Sequence, residues 1–276
     1  MPHHGYSVSA SVEANDRTMD RRSFVGMLGG LSLAAGQRPE GEERKTRLYL
    51  LELFYLKHGT QLGRLHNYLS QAVLPALNQV HAGPKIVLEA LVAPHMPQVA
   101  MLLGFQSVAE MWQVRAKLQE DEALKKAFET WQEGPEPPFE QQHNILLEAA
   151  AYSPEVVPLD PPPKTPRIFE LRVYHSPTWR QLKALHERFE GPEIKIFHRV
   201  GVHPILYTST VIGPNMPNLT YLIPFEDLAA REKAWSAFAA DPEWIKVRQE
   251  SIERHGQIAS VIQIALYRAA PYSPVR

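Results

Sequence analysis

The chain has 276 residues, 44% of them apolar, which is enough for the cores of two modules of about 100 to 120 residues each. A formal charge of −1 leaves no basic excess to attract phosphate backbones or an acidic membrane, so nucleic-acid binding is not expected. There is no cysteine, which excludes disulfides, thiolate nucleophiles, cysteine-held zinc and iron–sulfur clusters.

At the amino terminus Arg21 and Arg22 precede Ser23, Phe24 and an uncharged run from Val25 to Ala35. That run is too short for a membrane span of about 20 residues, and small residues close it, as in an export signal. The paired arginines point to the twin-arginine type. A short buried helix is the competing reading, weakened by the glycines and alanines at 29–36. Met19 offers a second start. Residues 1–45 are therefore expected to be a signal and a flexible segment. The protein is expected outside the cytoplasm, periplasmic or extracellular, with no stable membrane insertion once the signal is removed.

The first copy of a repeated unit occupies residues 46–157. It predicts a strand near 47–57, a helix near 60–80, strands near 85–92 and 99–105, a helix near 107–130 and a strand near 143–151. Pro158 to Pro166 is a proline-rich linker that prefers an extended form. The second copy, 167–276, repeats the order. Ile168 to His175 alternates like a strand, and Ser176-Pro177 supplies an N-cap and a first-turn proline. Leu182, Leu185 and Phe189 keep helical spacing, interrupted at Gly191-Pro192. Strands follow at Pro204 to Ile212 and Leu219 to Ile223, joined by a turn-dense connection at 213–218. A second helical region begins near Phe225 and restarts at Asp241-Pro242, and Ile258 to Tyr267 reads as the last strand.

The duplication is read directly. Gln61-Leu62-x-x-Leu65-His66 recurs as Gln181-Leu182-x-x-Leu185-His186, Pro94-x-Met96-Pro97 as Pro214-x-Met216-Pro217, and Tyr152-Ser153-Pro154 as Tyr272-Ser273-Pro274. All these pairs are 120 positions apart. Leu51-Glu52-Leu53 resembles Phe169-Glu170-Leu171, with a two-residue gap after it. The order strand, helix, strand, strand, helix, strand is the ferredoxin-like split pattern. One such unit leaves one sheet face bare, so the fold class is α+β: two βαββαβ modules packed sheet to sheet as an intrachain α+β barrel.

The second copy resembles NIPSNAP domains. The carriers are Phe169-Glu170-Leu171-Arg172, the Gly-Pro-Asn-Met-Pro-Asn hairpin at 213–218, and Trp235-x-x-Phe238-x-x-Asp241-Pro242-Glu243-Trp244. Copy one departs: Leu51-Glu52-Leu53-Phe54 lacks the arginine, and its second helix lacks the tryptophan series. The resemblance implies a dimeric α+β-barrel fold in a family of poorly defined activity. Its wider superfamily, with small monooxygenases and haem-degrading enzymes, implies a central cavity as ligand site by analogy alone.

Alternation places Phe169, Leu171 and Val173 under the helices and turns Glu170, Arg172 and Tyr174 into the barrel, with Glu52 likewise in copy one. A ligand-orienting polar cavity and a Glu–Arg pair that only fixes packing are the two readings. Asn215 and Asn218 sit in the hairpin, which reads either as a loop at the barrel mouth that touches a ligand or partner or as plain turn chemistry. The candidate ligand-binding residues are thus Glu52, Glu170, Arg172, Tyr174, Asn215 and Asn218, and no catalytic residue is assigned. His66 and His186 read as hydrogen-bonded helix residues, and no metal is expected. No phosphate loop, Rossmann fingerprint or nucleophile elbow appears, so no cofactor is expected. The expected function is small-molecule binding between the modules, with room for cofactor-free oxygenase- or isomerase-like chemistry and for a homo-oligomer. The alternative is a non-enzymatic interaction or scaffold protein.

Overall fold

Two similar runs of elements follow one another in a computed structural model that describes residues 46–276. The export-signal reading falls on residues 1–45 and lies outside the described residues. The first run is β1 (Leu48–Tyr55), α1 (Gln61–Tyr68), a π-helical turn (Leu69–Val73), α2 (Leu74–Val80), β2 (Lys85–Val92), β3 (Gln98–Phe105), α3 (Val108–Glu120), α4 (Glu122–Gln132) and β4 (Gln141–Ala149). The second is β5 (Ile168–His175), α5 (Trp179–Arg188), a π-helical turn (Phe189–Glu193), α6 (Ile194–Arg199), β6 (Leu206–Ile212), β7 (Asn218–Phe225), α7 (Leu228–Ala240), α8 (Pro242–His255) and β8 (Val261–Ala269).

Local chemistry accounts for the breaks. Asp121 and Asp241 each end one helix in an extended conformation and cap the next, accepting from the backbone N–H of Leu124 and Trp244 at 3.0 Å. Gly191 leaves helical geometry at ψ −107° before Pro192, yet copy one makes the same π turn with Leu-Ser-Gln-Ala-Val. The turn therefore belongs to the shared packing and not to the glycine. The cap of α5 is Thr178, not Ser176: the Thr178 hydroxyl accepts from Gln181 N at 3.3 Å, while Ser176 Oγ donates to Ile258 O at 2.6 Å. A buried hydroxyl must find a partner, and for Ser176 it is this carbonyl and not the helix end.

Within each run the strand order is β4-β1-β3-β2 and β8-β5-β7-β6, and β2–β8 and β4–β6 join the two into a closed antiparallel barrel. The two seams are equivalent through the 120-residue offset: Leu88 pairs with Ala269, and Thr208 with Ala149. Closure gives three cores. The lumen holds Leu51, Leu53, Ile86 and Leu102 of copy one against Phe169, Leu206, Leu222 and Tyr267 of copy two. Each module's helices then cover the outer face of its own four strands. β3 is buried along its whole length because both of its faces are covered, which explains its unbroken apolar sequence.

The repeated His and Tyr-Ser-Pro positions form reciprocal clasps. After β4 the chain reaches onto module two: Ser153 Oγ accepts from Tyr207 N at 3.0 Å, and Tyr152 Oη lies 2.8 Å from His186 Nδ1. After β8 it reaches back onto module one: Ser273 Oγ accepts from Val87 N at 3.0 Å, and Tyr272 Oη lies 2.6 Å from His66 Nδ1. The second ring nitrogens meet Ser209 Oγ at 2.7 Å and Glu89 Oε2 at 3.0 Å. Burial pushes the His186 imidazole down to about 4, so it stays neutral at pH 7. Both histidines are joints between modules. Removing a clasp hydroxyl strands a buried backbone N–H, so Ser153→Ala and Ser273→Ala should each cost about 1–3 kcal/mol in urea unfolding. Ser70→Ala, at a half-buried position whose hydroxyl bonds only its own helix, should stay within about 0.5 kcal/mol of the parent.

Candidate functional site

The charged group on β5 faces the helix layer and not the lumen. Leu171 and Val173, with Leu51 and Leu53 from β1, line the space inside the barrel, while Glu170, Arg172, Tyr174 and Glu52 point the other way. The inward placement of Glu52, Glu170, Arg172 and Tyr174 is thus corrected. Period-two alternation sets which residues share a face but not which face is inner. The helices decide it, because only they supply counter-charges and donors to a buried carboxylate.

Glu170 shows how complete that supply is. Its carboxylate is fully buried and accepts from Arg172 Nε at 2.5 Å, Arg231 Nε at 2.6 Å and Trp235 Nε1 at 2.9 Å. The Arg172 guanidinium lies 3.6 Å from the centre of the Trp235 ring, and its Nη1 donates to Tyr174 Oη at 2.9 Å. A carboxylate with this many donors has no free lone pair directed at a ligand. The arrangement ties β5 to α7. Nearby, Glu193 pairs with Arg188 at 2.7 Å; burial still raises its pKa, the arginine acting against that shift.

The open space is at one end of the barrel, a cavity of about 140 Å³. Its walls are the inner residues of β1, β4, β5 and β8, including Leu51, Leu53, Ile145, Leu171 and Ala265. Its rim carries Tyr55, Gln98, His143, Asn215 and Gln263. Asn215 adopts φ 59°, a conformation that asparagine tolerates better than most side chains, and its amide donates to Gln263 Oε1 at 3.1 Å. Asn218 is buried and committed to the turn: its Oδ1 accepts from Thr210 at 2.8 Å and Thr220 at 3.0 Å, and its amide donates to Asn215 O at 3.0 Å. Gly213 brings the hairpin against β4, where an added Cβ would stand 2.7 Å from Ile145 Cγ2. Tyr55 packs edge-on to His143 at 4.7 Å and to His95 at 5.1 Å. The structure thus brings Asn215 and Asn218 to the mouth, keeps the four charged-strand candidates away from it, and adds Tyr55, Gln98, His143 and Gln263, which carry no motif. Their only signal is parity with the inner leucines of their strands.

Glu52 occupies the same strand position as Glu170 with fewer partners. Where Glu170 has Arg231 and Trp235 beneath it, copy one has Met111 and Arg115, and Phe54 replaces Arg172. Among the described residues its carboxylate accepts one side-chain hydrogen bond, from Gln142 at 3.5 Å. Burial raises its pKa to about 7, and Arg115 offsets only part of that. With a folded-state pKa above the ordinary 4.5, the native protein holds a proton that the unfolded chain releases, so stability falls as pH rises from 4.5 through 7. Glu52→Gln should therefore raise unfolding stability at pH 8 by roughly 1–2 kcal/mol, allowing for the solvent that reaches this side chain. That gain should shrink towards zero near pH 4.5 in denaturant titrations.

Residues 169–274 match the NIPSNAP family in sequence. No curated protein matches the chain. Among solved structures, the chain is similar to a protein from Lactobacillus acidophilus NCFM provisionally assigned as a monooxygenase, at 9% identity and a TM-score of 0.51 over 82% of this chain and 94% of that one. An anthrone oxidase-like protein superposes with a TM-score of 0.51 at 13% identity, covering 82% of this chain and 92% of the other. A NIPSNAP family protein from Agrobacterium tumefaciens str. C58 shares 21% identity over 40% of this chain and 99% of its own, with a TM-score of 0.35. The first two likenesses show the closed α+β barrel as a fold. In sequence, the second module is similar to the NIPSNAP family.

Proposed function

We propose that the protein binds a small neutral molecule at the mouth of the barrel. The observation that carries this reading is the composition of the cavity: apolar walls, a rim of amides and aromatic rings, and no Asp, Glu, Lys or Arg among its described lining residues. A charged ligand there would lose its hydration without an opposite charge in return. A space of about 140 Å³ is close to the size of cavity that holds benzene in an engineered protein core, so one ring with a hydrogen-bonding substituent fits. The fold neighbours described as a monooxygenase and as anthrone oxidase-like support small-molecule chemistry in such a barrel. If oxygenase- or isomerase-like turnover occurs without a cofactor, the His143 imidazole is the side chain at the mouth placed to accept a proton. Binding without turnover is the second outcome, and an interaction or scaffold role the third.

Phenol is a suitable probe, followed through the side-chain amide resonances of Asn215 and Gln263. Leu171→Trp, which fills the cavity from β5, should weaken phenol binding at least tenfold while circular dichroism stays unchanged. Undiminished binding in that variant would remove the site from the barrel mouth. Native mass spectrometry of protein from its own host reports both a retained ligand and the number of chains, and so tests the homo-oligomer.

We further propose that the protein is exported through its paired arginines, Arg21 and Arg22. Replacing both with lysine should hold the protein in the producing cell's cytoplasm, as followed by fractionation. Normal export of that double variant would defeat the twin-arginine reading. Among the described residues no helix is long and apolar enough to cross a membrane.

A further inference from the structure

Module one keeps open a groove that module two has filled. It runs between α1 with its π turn and α4, and encloses about 420 Å³, within the roughly 300–1,000 Å³ of ordinary ligand pockets. Its floor is a stack of Tyr68 on Trp131, with ring centres 4.6 Å apart and planes 6° from parallel. Phe128 stands at its edge, 6.0 Å from Trp131 and largely exposed. Ala72, Ala123 and Ala127 keep the walls low.

Charge points to the ligand. The groove is lined by two cations, Arg64 and Lys126, and among the described residues by no acid. The indole N–H of Trp131 is buried without a partner among the described residues, so it reports on the ring beneath the groove without opening into it. Arg64 donates to the carbonyls of Glu136, at 2.8 Å, and Trp131, neutral acceptors that leave its charge uncompensated. Lys125 pairs with Glu122, whereas Lys126 makes no ion pair among the described residues.

Module two shows what the same place looks like when it is closed. Tyr68 corresponds to Arg188, which lies 4.9 Å over the Trp244 ring and pairs with Glu193. Ala127 corresponds to Val247, packed on the module-two core, and Trp131 to Ser251. Ala123 and Thr130 correspond to Glu243 and Glu250, so the local charge is reversed as well.

We propose that the module-one groove binds a planar aromatic carboxylate of one or two rings, its rings on Tyr68 and Trp131 and its carboxylate at Lys126 and Arg64. Stacking supplies the area, and the charge-assisted bond to lysine supplies the selection for an anion. This site is separate from the neutral barrel mouth and does not depend on it.

The test is titration of the isotope-labelled full chain with 2-naphthoate, and separately with 2-naphthylmethanol, watching the Trp131 indole N–H resonance identified through Trp131→Phe. The expected result is a saturable shift with 2-naphthoate and at least tenfold weaker binding of the neutral alcohol. Lys126→Glu, at an exposed position, should weaken 2-naphthoate at least tenfold. Ala127→Trp should abolish the response, with Ala123→Trp as the second filling variant if the first loses its dichroism. Leu171→Trp should leave this titration unchanged, which separates the groove from the barrel mouth. No saturable response at millimolar 2-naphthoate, equal affinity for the two probes, or an unaltered Lys126→Glu titration would each overturn the proposal.

Discussion

Edge pairing is the constraint on which this molecule is built. A four-stranded βαββαβ sheet ends in two strands whose outer N–H and C=O groups have no partner, and it leaves one apolar face bare. Pairing β2 with β8 and β4 with β6 satisfies both edges of both sheets at once and encloses the bare faces. It also divides every strand into two unlike sides. One side looks into a lumen where only neutral groups are tolerated, and the other meets helices that can offer arginines and indoles. The burial of Glu170 against Arg231 and Trp235, and of Leu171 on the opposite side of the same strand, follow from that division.

On this common frame the two copies differ through a few exchanges. Arg231, Trp235 and Arg172 turn a buried carboxylate into a tie between strand and helix, whereas Met111, Arg115 and Phe54 leave the matching Glu52 with a pKa of about 7. Arg188, Glu193 and Trp244 close the space between the helices of module two, and Tyr68, Val73 and Leu124 leave it open in module one. Module two holds Glu170 and Glu193 in fixed pairs. Module one carries the less satisfied carboxylate, Glu52, and the accessible groove.

Most of the fold was legible in the residues. The 120-residue diagonal, the Asp-capped second helical regions and the alternation in β1 and β5 foretold two modules and their closure, because these features depend on local geometry and on covering apolar area. The candidate site was legible only in part. Asn215 and Asn218 could be placed at the mouth because turn chemistry fixes a hairpin tip. The facing of Glu170, Arg172, Tyr174 and Glu52 could not, because both sides of a doubly covered strand are buried and the deciding partners, Arg231 and Trp235, lie some 60 residues away. His143 and Tyr55 show only strand parity, and the pairing of β1 with β4 across nearly 90 residues brings them together. The Tyr-Ser-Pro repeats were visible as repeats, but their crossing from one module to the other is a long-range fact.

Those crossings change the meaning of the proline-rich linker. Each tail is encoded in one copy and anchored in the other, and both seams run between copies. A break within residues 158–166 would leave every one of these bonds in place, so the linker is not what holds the halves together. What it sets is composition: every barrel receives one of each unequal half, and barrels assembled from two identical halves are avoided. Covalent fusion here acts as a rule of stoichiometry, guaranteeing that one open groove and one closed counterpart flank each barrel.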